Sequence, residues 1–185
     1  MRLLTEERPG KGNALNRALD AGGLGELIAV LDDDMTVEGG WFGGVMATAI
    51  RWPDFDIFGG HLYAVYPCRD LPRWHRDRYI RAWGFSVAAA PPADTPFPPG
   101  WWPSGNQFWF RSRVLDTGIR FTPDWATEPR FALRLQNMGF AGLTTPSVRC
   151  GHRIQPELLD PSAMRRRAWL VGREFARARL PYPRL

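Results

Sequence analysis

Apolar and polar positions along this chain follow two rhythms, and together they mark out an α/β order. Leu27-Ile28-Ala29-Val30-Leu31 is a five-residue apolar run between polar neighbours, the pattern of a buried strand. Before it, Ala14, Leu15, Ala18 and Leu19 recur at helical spacing after a loop at Pro9-Gly10-Lys11-Gly12-Asn13, and Gly22-Gly23 stops that helix. Arg2-Leu3-Leu4 reads as a strand end. Residues 38–50 read as a helix with Trp41, Phe42, Val45 and Met46 on one side, and Pro53 ends it. Phe55 to Tyr66 reads as one or two strands around Gly59-Gly60, and the charged, Trp-rich residues 70–83 as a short helix.

The second half continues the alternation. Pro91 to Pro103 holds six prolines and predicts a long irregular loop of the active-site type rather than a linker. Asn106 to Arg111 alternates like a strand, and Ser112 is placed to cap a short helix that Gly118 ends. Residues 128–138 read as a helix with Phe131, Leu133, Leu135 and Met138 apolar and Gly139 as the stop. Phe140 to Thr144 follows as a short strand. Asp160-Pro161 supplies the cap and first-turn pair of a final helix over 161–179. There is no internal repeat.

The strand at 27–31 ends in Asp32-Asp33-Asp34, with no Lys or Arg beside it in sequence. Three adjacent carboxylates are tolerable in water or around a divalent cation. Oxygen-rich acidic clusters suit Mg²⁺ or Mn²⁺, which hold phosphates in turn, and in open α/β sheets ligands collect at the carboxyl ends of strands. A solvated acidic loop fits the tripeptide equally well.

Composition narrows the class. With 185 residues, 44% of them hydrophobic and 23% charged, the chain is sized and composed as one globular domain with a real core. No apolar run reaches a membrane span, and the N-terminus is no signal peptide. Cys68 and Cys150 lack metal spacing and read as free thiols in a reducing compartment. The net charge of +5 comes almost wholly from arginine, Lys11 being the one lysine. That excess fits an anionic partner or, for most of the arginines, a biased genome composition. No nucleic-acid signature with interleaved aromatics is present, so no nucleic-acid partner is expected.

The motifs come in a telling order. Gly10-Lys11-Gly12-Asn13-Ala14-Leu15-Asn16 leads a helix; a strand ends in Leu31-Asp32-Asp33-Asp34; a Gly-Gly strand follows, then Gly105-Asn106 with Phe110-Arg111-Ser112. Thr127-Glu128 opens the helix carrying Leu133-Arg134-Leu135, and a Pro146…His152 segment precedes an Arg-rich helix. This ordered set, across roughly residues 2 to 175, resembles the GT-A-fold glycosyltransferases of family two, inverting enzymes that use nucleotide sugars.

The resemblance implies a GT-A-like α/β fold over residues 1–185, a mixed and mainly parallel sheet flanked by helices. It implies a metal-dependent inverting glycosyltransferase that moves a sugar from a nucleotide-diphosphate donor to a glycan or lipid-linked acceptor in cell-surface glycan biosynthesis. Asp34 would hold Mn²⁺ or Mg²⁺, Asp32 would lie near the donor's ribose or sugar, and Asp33 would be the variable middle of an Asp-x-Asp motif. Such a metal acts as a Lewis acid on the departing diphosphate. His152 falls at a position that can complete the metal site, or is a hydrogen-bonded structural histidine. Lys11 either reaches a diphosphate oxygen as a point charge or is a loop lysine in water.

Inversion needs a base for the acceptor hydroxyl. The family's Glu-Asp pair aligns with Thr127 and Glu128, so the base position falls on Glu128, one methylene longer than the usual Asp. An acid in a first helical turn is also an ordinary dipole partner. Trp101, Trp102, Gly105 and Asn106 would meet the acceptor, the tryptophans by stacking or, alternatively, by packing their loop on the core. The final helix, with Arg165, Arg166, Arg167, Arg173, Arg177 and Arg179 beside Trp169, Leu170, Val171 and Phe175, either lies on an anionic membrane or docks through its apolar stripe with the arginines in water. A cytoplasmic location, at the inner membrane face in the first case, goes with this reading.

In the family, a strand, a helix and a second strand ending in acidic residues precede this region and hold the nucleoside base. The chain therefore reads as N-terminally incomplete, and residues 1–185 alone are expected to bind nucleotide sugar weakly. Two further readings stand beside the leading one. One is a non-catalytic remnant, or part of a split glycosyltransferase that needs another chain. The other is a metal-dependent phosphohydrolase, which would need a second ligand cluster that the sequence does not supply.

Overall fold

The computed structural model describes residues 2–87, 90–98, 105–123 and 127–178. In chain order it contains α1 (Lys11–Asp20), β1 (Leu27–Leu31), β2 (Met35–Val37), α2 (Trp41–Arg51), β3 (Ile57–Val65), β4 (Thr95–Pro96), β5 (Asn106–Phe110), α3 (Arg111–Leu115), α4 (Thr127–Asn137), β6 (Gly142–Arg153) and α5 (Pro161–Ala178). A 3₁₀ turn at Arg73–Arg76 and a π-helical turn at Ile80–Gly84 occupy the segment expected to hold one short helix.

The sheet runs β1-β5-β3-β6-β2, with β4 also on β6. It is mixed, as expected, but mainly antiparallel rather than mainly parallel, because β5 runs against both β1 and β3 and the short β2 and β4 fold back on β6. Among the described residues β3 and β6 pair in parallel, while β1·β5, β3·β5, β2·β6 and β4·β6 are antiparallel. The alternation of β3 and β5 explains how both faces are covered. Ile57 and Trp109 point to one side, where they pack with Ile28, Val30, Phe131 and Leu135, and with Leu15 and Leu19 of α1. Phe58 and Phe108 point to the other and stack on each other, at 5.0 Å between ring centroids, beneath Val45 of α2. A third cluster of Leu62, Phe85, Val87, Cys150, Ile154 and Met164 seats α5 near the carboxyl ends of β3 and β6.

Four local expectations are corrected. The predicted strand at 140–144 is the start of a twelve-residue strand. Pro146 does not break it, because the register against β3 jumps from Gly60↔Thr145 to His61↔Arg149 and leaves residues 146–148 in a bulge. The amide of Asn106 donates to the Val148 carbonyl freed there, at 3.0 Å. The inward face of α2 is also different: Val45, Thr48 and Ala49 are buried, whereas Phe42 is 70% exposed. Small residues set that face, since a Cβ on Gly44 would stand 3.1 Å from the Ser147 carbonyl oxygen in the bulge. Ser112 does not cap α3; Phe110 precedes the helix, and the Ser112 amide and hydroxyl both donate to Glu26. Within the proline-rich loop, Thr95-Pro96 pairs with β6 as a two-residue strand.

The final helix is as expected at its start. The Asp160 carboxylate accepts from the amides of Ser162 and Ala163, at 2.8 and 3.0 Å. Met164 and Val171 are buried, while Arg165, Arg166, Trp169 and Arg177 face outward. Both cysteines are free, Cys68 exposed and Cys150 buried. No helix of the described residues is long and apolar enough to cross a membrane.

Candidate functional site

The glycine-lysine motif at the start of α1 has a steric explanation. Gly10 has φ of 110°, and a Cβ there would lie 2.5 Å from the Pro123 carbonyl oxygen; on Gly12 it would lie 1.9 Å from that of Thr122. Asn16 closes the same contact from its side chain, accepting from the Phe121 amide and donating to the Phe121 carbonyl, both at 2.9 Å. The helix start is thereby pressed onto the segment leading into α4, and Lys11 is aimed between β1 and α4.

Lys11 Nζ stands 2.5 Å from Asp32 Oδ1 and 2.9 Å from Glu128 Oε2. The other Glu128 oxygen accepts from the Gly105 amide at 3.3 Å and from Gln107 Nε2 at 3.1 Å. Glu128 is buried, and burial lifts its pKa above the ordinary carboxylate range although the Lys11 ammonium opposes the shift. Burial pulls Lys11 down, but Glu128 and Asp32 outweigh it and hold the ammonium above its usual value. Gly105 has φ of 78°, and a Cβ there would meet Met35 Cε at 2.5 Å and Asp32 Oδ2 at 3.2 Å. A residue with no side chain is what fits the backbone at 105 against Met35 and Asp32.

A second pair lies one turn of chain away. β2 runs antiparallel to the end of β6 and sets Met35 opposite His152, which brings Asp34 Oδ2 to 3.1 Å from His152 Nε2. His152 Nδ1 donates to the Phe85 carbonyl at 2.6 Å. In that tautomer Nε2 turns a lone pair toward the carboxylate, so a proton or a cation belongs between them. Asp34 Oδ1 is buried without a hydrogen-bond partner. An octahedral ion with ligand bonds of about 2.1 Å sets neighbouring donor atoms about 3 Å apart, so the pair fits two adjacent corners of an Mg²⁺ or Mn²⁺ shell. Among the described residues no third His, Cys, Asp or Glu joins them. Mg²⁺ commonly keeps several waters and takes substrate phosphates in its remaining positions, and those would complete the shell here.

The structure thus brings Lys11, Asp32, Glu128 and Gly105 into one cluster and Asp34 with His152 into another, joined by the turn at 32–34. Asp33 is exposed, and its carbonyl accepts from Arg153 Nη2 at 2.8 Å. Asn106 is fully buried, and its side chain is used within the core: Trp41 Nε1 donates to its Oδ1 at 3.0 Å while its amide meets Val148. It supports the site rather than facing it. Trp101 and Trp102 lie outside the described residues. Two contributors are not among the residues the motifs single out. Gln107 has no motif. Arg153 follows His152 directly, which is a usable signal, and the Asp34 carbonyl accepts from its amide at 3.0 Å.

The family model for glycosyl transferase family 2 matches residues 2–118. The chain belongs to that family. No curated protein matches it in sequence. Solved structures of glycosyltransferases share its fold. GalNAc-T7 with UDP, GalNAc and Mn²⁺ is 17% identical, with a TM-score of 0.61 over 89% of this chain and 35% of that one. A mannosyltransferase from Pyrobaculum calidifontis with GDP-Man and Mn²⁺ is 23% identical, with a TM-score of 0.56 over 96% of this chain and 46% of that one. Glucosyl-3-phosphoglycerate synthase from Mycobacterium tuberculosis, with Mn²⁺, UDP-Glc and glycerol 3-phosphate, is 19% identical, with a TM-score of 0.52 over 96% of this chain and 58% of that one. The chain therefore spans from about a third to under three fifths of the length of these structures.

Proposed function

We propose that this family 2 chain carries the metal, diphosphate and base positions of a metal-dependent inverting glycosyltransferase acting on a nucleotide-diphosphate sugar. The observation that carries the reading is the Asp34–His152 pair at 3.1 Å, its free carboxylate oxygen buried beside it, one turn from the Lys11-Asp32-Glu128 cluster. A divalent metal held by Asp34 and His152 supplies Lewis-acid stabilisation to the leaving diphosphate.

The protein's own groups account for the rest. Glu128 is the base that takes the acceptor hydroxyl proton. Its Oε1 is held by Gly105 and Gln107, while Oε2 has a lone pair beyond the one Lys11 occupies. Burial raises its proton affinity, which strengthens the carboxylate as a base. Asp32 stands where the donor's ribose or sugar would lie, its charge neutralised by Lys11. The UDP-, UDP-Glc- and GDP-Man-bound relatives support a nucleotide-sugar donor. The acceptor we assign is a glycan or lipid-linked hydroxyl.

The test is Mn²⁺-dependent transfer and hydrolysis across a panel of uridine and guanosine diphosphate sugars, with Asp34→Ala alongside. Loss of Mn²⁺-dependent donor binding in Asp34→Ala supports the reading; unchanged binding refutes it.

A further inference from the structure

Two helices on one side of the sheet present large apolar side chains to water, and none of the roles assigned to the site uses them. Phe58 and Leu62 sit at even spacing on β3, as Val148 and Cys150 do on β6, so each pair points to one side. Phe58 and Val148 pack with Val45 of α2, and Leu62 and Cys150 with Met164 of α5. Both helices therefore cover the same side of the sheet.

The outward stripe of α2 is Phe42, Met46 and Ile50, one turn apart, with Gly43 and Ala47 exposed between them. Ile50 is 74% exposed. No charged residue occurs from Gly39 to Ile50, and Arg51 closes the helix. A helix that only covers a core carries polar residues on its outer face. On α5 the outward positions combine Trp169, 63% exposed, and Leu170 with Arg165, Arg166 and Arg177. The Arg173 guanidinium lies over the Trp169 ring, 4.8 Å from its centroid. Glu174 pairs with Arg173 and Arg177, but among the described residues no carboxylate lies within ion-pair distance of Arg165 or Arg166.

This composition fits the boundary of a bilayer, where aromatic and aliphatic side chains enter the acyl region and arginines meet lipid phosphates. Charge decides against a second copy of the chain as the occupant. A symmetric contact through this face would bring two arginine-rich patches together in a protein of net charge +5, whereas anionic lipid neutralises them. We propose that the outer faces of α2 and α5 together form a peripheral docking surface for an anionic lipid bilayer. The surface is wider than a basic final helix acting alone, and it gives Phe42, Met46 and Ile50 a reason to face outward. Attachment through it requires neither the metal nor the donor, so it stands or falls apart from the proposed reaction.

Co-sedimentation of the full chain with phosphatidylcholine vesicles, with and without phosphatidylglycerol, measures the attachment. The proteins compared are wild type, Phe42→Ser with Ile50→Ser, and Arg165→Gln with Arg166→Gln. Wild type should partition onto the anionic vesicles, and more weakly onto neutral ones or in high salt. Each double variant should bind anionic vesicles at least about tenfold more weakly. Its melting temperature should equal that of wild type, because all four side chains are exposed. Brominated lipid should quench tryptophan fluorescence less in Trp169→Phe than in wild type; equal quenching overturns the insertion of α5. Wild type that stays off anionic vesicles overturns the proposal. So does undiminished binding by the α2 variant, which leaves α5 as a lone basic helix. A wild-type dimer that the α2 variant dissociates, without vesicle binding, assigns the face to a second copy and refutes the bilayer. A lower melting temperature in the α2 variant shows its stripe to be packed and refutes the surface.

Discussion

Replacing Lys11 with Met tests the electrostatics of the site most directly, because the aliphatic stem stays while the ammonium leaves. The side chain most harmed is Glu128, 9% exposed against 27% for Asp32. Removing one partner of a fully buried ion pair costs about 3–5 kcal/mol. Lys11 is itself 36% exposed, so water takes over part of its work, and about 1–3 kcal/mol at neutral pH is the expected loss. The pH dependence is the sharper signature. Glu128 titrates above its ordinary range because of burial, and without Lys11 it must titrate higher still. A carboxyl whose folded pKa is raised leaves stability intact below its unfolded pKa, about 4.3, and lowers it as pH climbs toward the folded value. The Lys11→Met deficit should therefore be small near pH 4.5 and grow toward pH 8. Its growth across that window is about 1.4 kcal/mol for every tenfold by which losing Lys11 weakens the acidity of Glu128. Urea denaturation of both proteins at several pH values measures it. A deficit that does not change with pH refutes the coupling, and adding Glu128→Gln to Lys11→Met should abolish the pH dependence.

Other outcomes follow from single contacts. Glu128→Gln keeps the shape of the side chain but cannot take a proton, so transfer should fall by about 10²–10⁴ while donor affinity is kept; rate and binding measured on one preparation separate the two. Gly60→Ala would place a Cβ 2.1 Å from Asn106 Nδ2 and 2.3 Å from the Val148 oxygen, and thermal melting should show a marked loss of stability. Asn106→Leu leaves the Val148 carbonyl and the Trp41 indole N–H without partners, at about 1–3 kcal/mol each in chemical denaturation. Burial pushes the Cys150 thiol up to about 11, so a disulfide reagent at pH 8 should titrate Cys68 in the native protein and reach Cys150 only after denaturant is added.

What the chain states locally, its sequence shows, and what it states through space, its sequence hides. The strand at 27–31, the Gly22-Gly23 stop and the Asp160 cap each depend on neighbours within a few residues, and each sits where the pattern puts it. The full length of β6 is not legible, because Pro146 and Gly151 look like breakers until a bulge absorbs the first and β2 pairs opposite the second. The buried face of α2 departs from its pattern for the same reason. Its neighbour is that bulge, so Gly44 and Thr48 turn inward and Phe42 turns out, against their hydrophobicity. The acidic triplet reads as uncompensated because no basic residue stands nearby in sequence. In space Lys11 reaches its carboxylate from 21 positions upstream, carried by packing contacts that glycine and asparagine make possible. Arg153 reaches its backbone carbonyls from 119 positions downstream, carried by the pairing of β2 with β6. A cation placed by the fold rather than by the motif has no signature in the sequence.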